Sequence, residues 1–160
     1  MLFRSLLFII NNIINYFLSP LIGRAILRFG ERKLLTLEYG SLILVFLAYA
    51  LVDNRFLVAI LYILDHIFFN FSIAIRTFFQ RIGAPEDISA SMAVGFTINH
   101  IAAVFLPAGL GLLWVVSPAA VFGLAAAMAG TSFALAMMVP RDPAPGIETV
   151  FAGLLGAPAE

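Results

Sequence analysis

The strongest constraint on this chain is a series of five apolar windows, each about as long as a membrane-crossing helix. A helix needs roughly 20 mostly apolar residues to cross the hydrocarbon core of a bilayer. The windows cover about residues 2–22, 34–52, 56–79, 91–116 and 119–139. Because the connections between them are short, consecutive helices must be antiparallel neighbours. The sequence therefore predicts an all-α membrane protein built as a five-helix transmembrane bundle.

The composition agrees with a lipid environment. Hydrophobic residues make up 62% of the chain and charged residues 11%, with a mean hydropathy of +1.06. Soluble domains average about 45–50% apolar and about 25% charged residues. The formal net charge is zero, so nucleic acid is not an expected partner, whereas the lipid bilayer is. The absence of cysteine excludes disulfides, and we expect no bound cofactor or metal.

The two ends of the chain need separate interpretation. The first window begins near Arg4 like a signal peptide, but it lacks a small-residue cleavage site and contains Asn11, Asn12 and Asn15. We therefore interpret it as a retained helix whose asparagines form hydrogen bonds between helices. Residues 140–160 are too short and too rich in proline and glycine to cross the membrane, and they are predicted to form a flexible cytoplasmic tail.

The connections carry the polar residues. Residues 24–33 and 81–90 are predicted to be loops, and Asp53 to Arg55 a tight turn. Pro118 is predicted to lie in the first turn of the last helix, after Ser117. Within the windows, Glu38 is expected to stabilise the first turn of its helix, and Pro107 to introduce a bend.

The distribution of basic residues predicts the orientation of the bundle. One side of a five-helix bundle would carry seven basic residues and the other only two, Arg4 and Arg55. The positive-inside rule places the richer side in the cytoplasm. This side holds Arg24, Arg28, Arg32, Lys33, Arg76, Arg81 and Arg141. The N-terminus would then lie outside, so we expect at least one preceding helix to be missing.

The first connection reads GRAILRFGERKLL from Gly23 to Leu35. It resembles the loop motif of major facilitator superfamily transporters, Gly-x-x-x-Asp-Arg-x-Gly-Arg-Arg/Lys. Leu27 replaces the acidic residue of that motif, and Glu31 replaces a basic one. The matching residues are Gly23, Arg28, Gly30, Arg32 and Lys33. Both glycines are expected to permit close approach or a tight turn, and the basic side chains to anchor the loop on anionic lipid.

This resemblance implies a place in a larger transporter. In that family a looser copy of the motif lies between the eighth and ninth of twelve helices, so the chain would supply the eighth to twelfth. The resemblance implies a non-enzymatic secondary transporter that moves a small-molecule substrate by alternating access, in a cell membrane such as the bacterial inner membrane. It also implies that this chain is a fragment whose partner is the missing N-terminal half. By family analogy, the third window would line the central cavity.

Asp65 is the strongest candidate for chemistry. It lies about 14 Å along its helix, near the membrane midplane. An acid there is costly and is a functional-site hypothesis by default. His66 and Asn70 lie beside the stripe that Asp65 forms with Tyr62 and other residues. A structural Asp65, hydrogen-bonded to a neighbouring helix, remains the alternative.

The fourth window adds Asn99 and His100 at mid-membrane depth. Gly95 and the neighbouring small residues predict close helix packing on that window. His100 is either a core histidine bonded to another helix or a contact for substrate or proton. Asp65, with His66 or His100, could couple proton binding to movement, because carboxyl and imidazole groups both bind and release protons.

Two other function classes remain open on the sequence. His66 and His100 on adjacent helices could ligate one haem, which would make the chain a membrane redox protein. A membrane scaffold subunit without transport activity is the third possibility. The identity of the substrate cannot be read from the residues.

The predicted topology can be tested by labelling, since the chain contains no cysteine. Single cysteines at Arg28 and Ser89 should react with reagent from the cytoplasmic side, because the basic loops face that side. Cysteines at Asn54 and Ser117 should react from the outside. Labelling of positions 28 and 54 from the same side would contradict the predicted helix order.

Overall fold

In a computed structural model of the chain, the described part covers residues 2–152, with side chains from residue 5 onward. It consists of helices joined by very short breaks, followed by a turn, and the predicted all-α architecture is confirmed. A 3₁₀ turn, Asn70–Ser72, separates the third helix from the fourth. The helices are α1 Leu2–Phe29, α2 Glu31–Leu51, α3 Arg55–Phe69, α4 Ile73–Ile82, α5 Pro85–Val116 and α6 Pro118–Met137.

Five helical segments of the described chain are long and apolar enough to cross a membrane, which confirms the five-helix bundle. The third segment is the composite of α3, the 3₁₀ turn and α4. At 32 residues, α5 is about 48 Å long, which exceeds a hydrocarbon core of about 30 Å. Helix ends therefore extend beyond the apolar windows, and the predicted membrane limits of each span stay predictions.

Two of the predicted loops are wrong. In residues 24–33, α1 continues to Phe29 and α2 begins at Glu31, so only Gly30 separates them. In residues 81–90, α4 ends at Ile82 and α5 begins at Pro85. Gly30 reverses the chain alone because its φ of 81° and ψ of 159° lie in a region that is essentially restricted to glycine. Pro85 fits the first helical turn, where a missing N–H costs nothing.

The other connections agree with the sequence. The Asn54 side chain accepts hydrogen bonds from the main-chain N–H groups of Phe56 at 2.9 Å and Leu57 at 3.4 Å, and so caps α3. Ser117 caps α6 by accepting from the N–H of Ala120 at 3.2 Å, with Pro118 at the first helical position. The predicted bend at Pro107 does not interrupt α5, which is continuous through that residue.

The bundle is organised around α2, whose main partner is α6. A Cβ atom at Gly40 would lie 3.3 Å from the Phe133 ring, so glycine allows the two helices to approach closely. The buried residues of α6 are alanines, which have the same effect. The core lies toward the end of the bundle where α1 meets α2, and its members are Ile22, Ile26, Leu34, Leu35, Ala74 and Ala136.

In contrast, α5 stands largely apart from the bundle. None of its 32 residues is buried, and it packs only on α6 and α4. The predicted close packing at Gly95 is absent from the described chain, because a Cβ atom there would meet nothing within 4 Å. The same holds at Gly23 of α1, where close approach was expected. A large apolar surface therefore remains for lipid or for another protein.

The segment after α6 turns back on the bundle. Val150 donates its N–H to the carbonyl oxygen of Met138 at 2.9 Å, and Ala144 bridges to Ile147 across Gly146. The part of the predicted tail from 140 to 152 therefore forms a turn at the end of α6. Residues 153–160 lie outside the described part.

Gly30 should be sensitive to substitution, and Gly23 offers the matched control. Gly30→Ala should destabilise the protein by about 1–3 kcal/mol, since alanine is strained at this backbone conformation. Gly23→Ala lies in open space within α1 and should be neutral or slightly stabilising. Thermal unfolding in detergent measures both variants. Equal unfolding temperatures for the two would contradict the assigned role of Gly30.

Candidate functional site

A polar seam follows one face of α3. Tyr62, His66 and Asn70 recur at four-residue intervals, so their side chains lie above one another on the helix, and Asp65 lies beside them. The structure brings together three of the predicted site residues, namely Asp65, His66 and Asn70. All three side chains are partly buried.

Asp65 and His66 form the ionisable pair of this seam. Asp65 Oδ2 lies 3.7 Å from His66 Nδ1, which is too long for a hydrogen bond but close enough for charge attraction. The side chains are 27% and 35% exposed, respectively. The Asp65 carboxyl group has no hydrogen-bond partner among the described residues, so it is available to a proton, a cation or a polar ligand.

His66 is held by its own helix. Its Nδ1 lies 2.9 Å from the carbonyl oxygen of Tyr62, and the two rings are 4.2 Å apart between centroids. A carbonyl oxygen can only accept, so this bond requires the proton on Nδ1. In the neutral imidazole Nε2 then remains an acceptor, which allows His66 to take up a second proton without losing its anchor.

Asn70 marks the break in the third span. Its side-chain amide donates to the carbonyl oxygen of His66 at 2.8 Å and to Oδ1 of Asn15 on α1. The bond to a main-chain carbonyl competes with regular helix pairing, and the 3₁₀ turn begins at this residue. The contact with Asn15 confirms one of the predicted hydrogen bonds between helices. Asn12 instead donates to the carbonyl oxygen of Phe8 in its own helix.

Tyr49 is a polar side chain of α2, the helix that packs against both α3 and α6, and sequence reasoning did not single it out. The Tyr49 ring stacks on Phe122 of α6 at 4.9 Å, which fixes its position. Tyr49 lies in an apolar window without a polar stripe, so no periodic signal could have found it.

The remaining predicted site residues lie elsewhere. Asn99 and His100 are exposed on α5, which does not pack against α3. His100 Nδ1 lies 3.0 Å from the carbonyl oxygen of Phe96, so it is also anchored within its own helix. The structure therefore does not bring this pair to Asp65. The haem hypothesis required His66 and His100 on adjacent helices, and the absence of packing between α3 and α5 leaves it without support.

The resemblance motif lies at a helix junction. Gly23 and Arg28 belong to α1, Gly30 is the break, and Arg32 and Lys33 belong to α2. The residue that departs from the motif, Glu31, is 3% exposed and forms an ion pair with Arg81 of α4, at 3.0 Å between Oε2 and Nη1. This pair was not predicted. Its only sequence signal is that both residues fall on the same side of the predicted bundle.

Two buried polar groups lack partners in the described chain. Glu38 is 1% exposed with an unbonded Oε2, and Asn11 is 3% exposed with an unbonded Oδ1. Glu38 lies two turns into α2, because that helix begins at Glu31. The expectation that Glu38 stabilises the first turn of its helix was therefore wrong. A buried carboxyl group without a hydrogen bond is a second place where this bundle could accept a proton.

The comparisons with known proteins do not extend this picture. No protein-family model, no curated protein and no solved structure matches the chain. Among the described residues no three histidine, aspartate or glutamate side chains cluster as metal ligands would. The fold and its five apolar spans define the class: a multi-pass integral membrane protein.

The Glu31–Arg81 pair should contribute to stability in an asymmetric way. Arg81→Gln should destabilise the protein by about 1–3 kcal/mol, because it leaves the buried Glu31 carboxylate without its partner. Adding Glu31→Gln should recover part of that loss. Thermal unfolding of both single variants and the double variant gives the coupling.

Arg76→Gln is the matched control for this cycle, since Arg76 is an exposed arginine on the same helix without an ion pair in the described chain. Equal destabilisation by Arg76→Gln and Arg81→Gln would show that the ion pair contributes nothing specific.

Proposed function

We propose that this chain is the C-terminal part of a non-enzymatic secondary active transporter that moves a small solute by alternating access with proton coupling. The observation that carries the proposal is the partly exposed Asp65–His66 pair next to a 3₁₀ turn in a membrane-crossing helix. In this pair the Asp65 carboxyl group has no hydrogen bond among the described residues, whereas His66 is anchored to Tyr62. An ionisable residue at mid-membrane depth is costly, and such residues commonly line substrate or ion pathways.

The broken third span supports this proposal. Irregular backbone at membrane depth is tolerated where it is buried in protein or lines a cavity. In secondary transporters, substrate and ion sites commonly lie where a membrane helix departs from regular α-helical geometry near the midplane. The 3₁₀ turn begins five residues after Asp65, and Asn70 ties it to α1. A rearrangement of this turn would move α1 and α3 relative to each other and alter access to Asp65.

The site contains two groups that can bind and release a proton, the His66 imidazole and the Asp65 carboxyl group. With the Nδ1 proton of His66 bonded to the Tyr62 carbonyl oxygen, Nε2 is the atom that gains or loses a proton. Charged imidazole attracts the Asp65 carboxylate, and neutral imidazole does not. Protonation of either group therefore changes the net charge of the pair next to the 3₁₀ turn. The substrate would bind close enough to the pair for that charge to affect its binding.

The solitary position of α5 supports a partner half. Thr97, Asn99 and His100 are exposed on a helix that packs only on α6 and α4. Polar side chains in a bilayer are stabilised by a neighbouring helix rather than by lipid. We propose that the other half of the transporter covers this face, in keeping with the resemblance to major facilitator superfamily transporters at residues 23–33. A bacterial inner membrane is the proposed location.

Asp65 provides the decisive test. The protein should be reconstituted in vesicles together with any membrane-helix chain encoded beside it, with a pH-sensitive dye inside. A panel of solutes is then screened for solute-driven proton movement. Asp65→Asn should abolish that movement while leaving insertion intact, because asparagine keeps the shape but cannot carry a proton.

Asp53→Asn is the control, because Asp53 is an exposed acid at the turn before α3. It should transport like the unmodified protein. Solute-driven proton movement that is equal in Asp65→Asn and the unmodified protein would remove Asp65 from the coupling mechanism. A lack of solute movement in every preparation would favour the scaffold function instead.

A further inference from the structure

We propose that a pocket at the basic end of the bundle binds a phosphate group, carried either by an anionic lipid or by a soluble phosphorylated solute. The pocket has a volume of about 640 Å³ and lies where the end of α1, the start of α2, the end of α4 and the segment after α6 meet. It shares no lining residue with the α3 seam, and the inference does not depend on the transport proposal.

Three arginines are among the residues that line this pocket, namely Arg28, Arg81 and Arg141. Arg81 is engaged by Glu31, whereas Arg28 and Arg141 have no carboxylate within ion-pairing distance in the described chain. Glu31 and Asp142 also line the pocket, so the five charges sum to one positive charge. Because Glu31 is neutralised by Arg81, a ligand would meet two unpaired arginines and one exposed acid.

The main chain adds further positive potential. α2 begins directly after Gly30, and no side chain caps its first N–H groups. Uncapped N–H groups at a helix start favour an anion. Gly30 and Glu31 both line the pocket, so this helix start opens onto it. The Arg141 carbonyl oxygen lies 3.8 Å from where a Gly30 Cβ would be, which shows that the segment after α6 closes one wall.

Phosphate is the ligand chemistry that this arrangement fits. Guanidinium groups bind phosphate oxygens in a bidentate manner, and two of them can share one phosphate. The pocket lies at the ends of three apolar spans, and the headgroup region of a bilayer adjoins the ends of such spans. Phe29 beside the arginines provides an apolar wall for the part of the ligand next to the phosphate.

Calorimetric titration of the purified protein in neutral detergent tests the proposal. The probes are short-chain phosphatidic acid, the corresponding diacylglycerol and inorganic phosphate, with chloride at equal ionic strength as the blank. Phosphatidic acid should bind saturably and diacylglycerol should not. Binding of phosphatidic acid alone identifies a lipid site, whereas binding of inorganic phosphate as well identifies a site that also accepts soluble phosphorylated solutes.

Substitutions distinguish the pocket from a general basic surface. Arg28→Gln and Arg141→Gln should each weaken binding by about tenfold, because each removes a charge-assisted hydrogen bond. Arg24→Gln, an exposed arginine of α1 outside the pocket, should leave binding unchanged. All three positions are exposed, and unchanged unfolding temperatures would verify that the variants fold. Equal weakening by Arg24→Gln, or no saturable binding by either phosphate probe, would overturn the proposal.

Discussion

The structure depends on the need to satisfy every main-chain polar group without water. In the hydrocarbon core an unpaired N–H or C=O costs several kcal/mol, and a helix satisfies these groups within its own segment. This requirement explains why the chain is helical from residue 2 to residue 137 apart from a few short breaks. Gly30 alone separates α1 from α2, and residues 83 and 84 alone separate α4 from α5. Each break uses a residue whose backbone preferences suit a sudden end or start.

Side-chain packing in this bundle follows from the same solvent. Lipid is as apolar as leucine, so large apolar residues gain little by leaving it, and close contact of small residues holds helices together instead. The tight α2–α6 pairing, with Gly40 against Phe133 and buried alanines on α6, illustrates this effect. Leu27 and Val115 are 89% and 85% exposed. In water such exposure would be unfavourable, and in a bilayer it is the normal state.

Polar groups inside this apolar bundle are costly unless they have a bonding partner. Asn70 donates hydrogen bonds to Asn15 and to its own helix, and Glu31 forms an ion pair with Arg81. Asp65 and Glu38 find no hydrogen bond in the described chain. The first two polar groups therefore hold helices together, whereas the second two contribute no hydrogen bond between helices in the described chain.

The sequence by itself determined the class and the helix number, because apolar windows of bilayer length have only one common structural solution. It also singled out Asp65, His66 and Asn70, since polar residues deep in such windows are conspicuous. Only the tertiary structure decided their relations. Periodicity along one helix cannot show that Asn70 meets Asn15, or that His100 lies on a helix that does not pack against the helix of Asp65. Nor could it show that Glu31 is buried against Arg81, because contacts between distant segments depend on helix rotation and depth, which a single sequence leaves free.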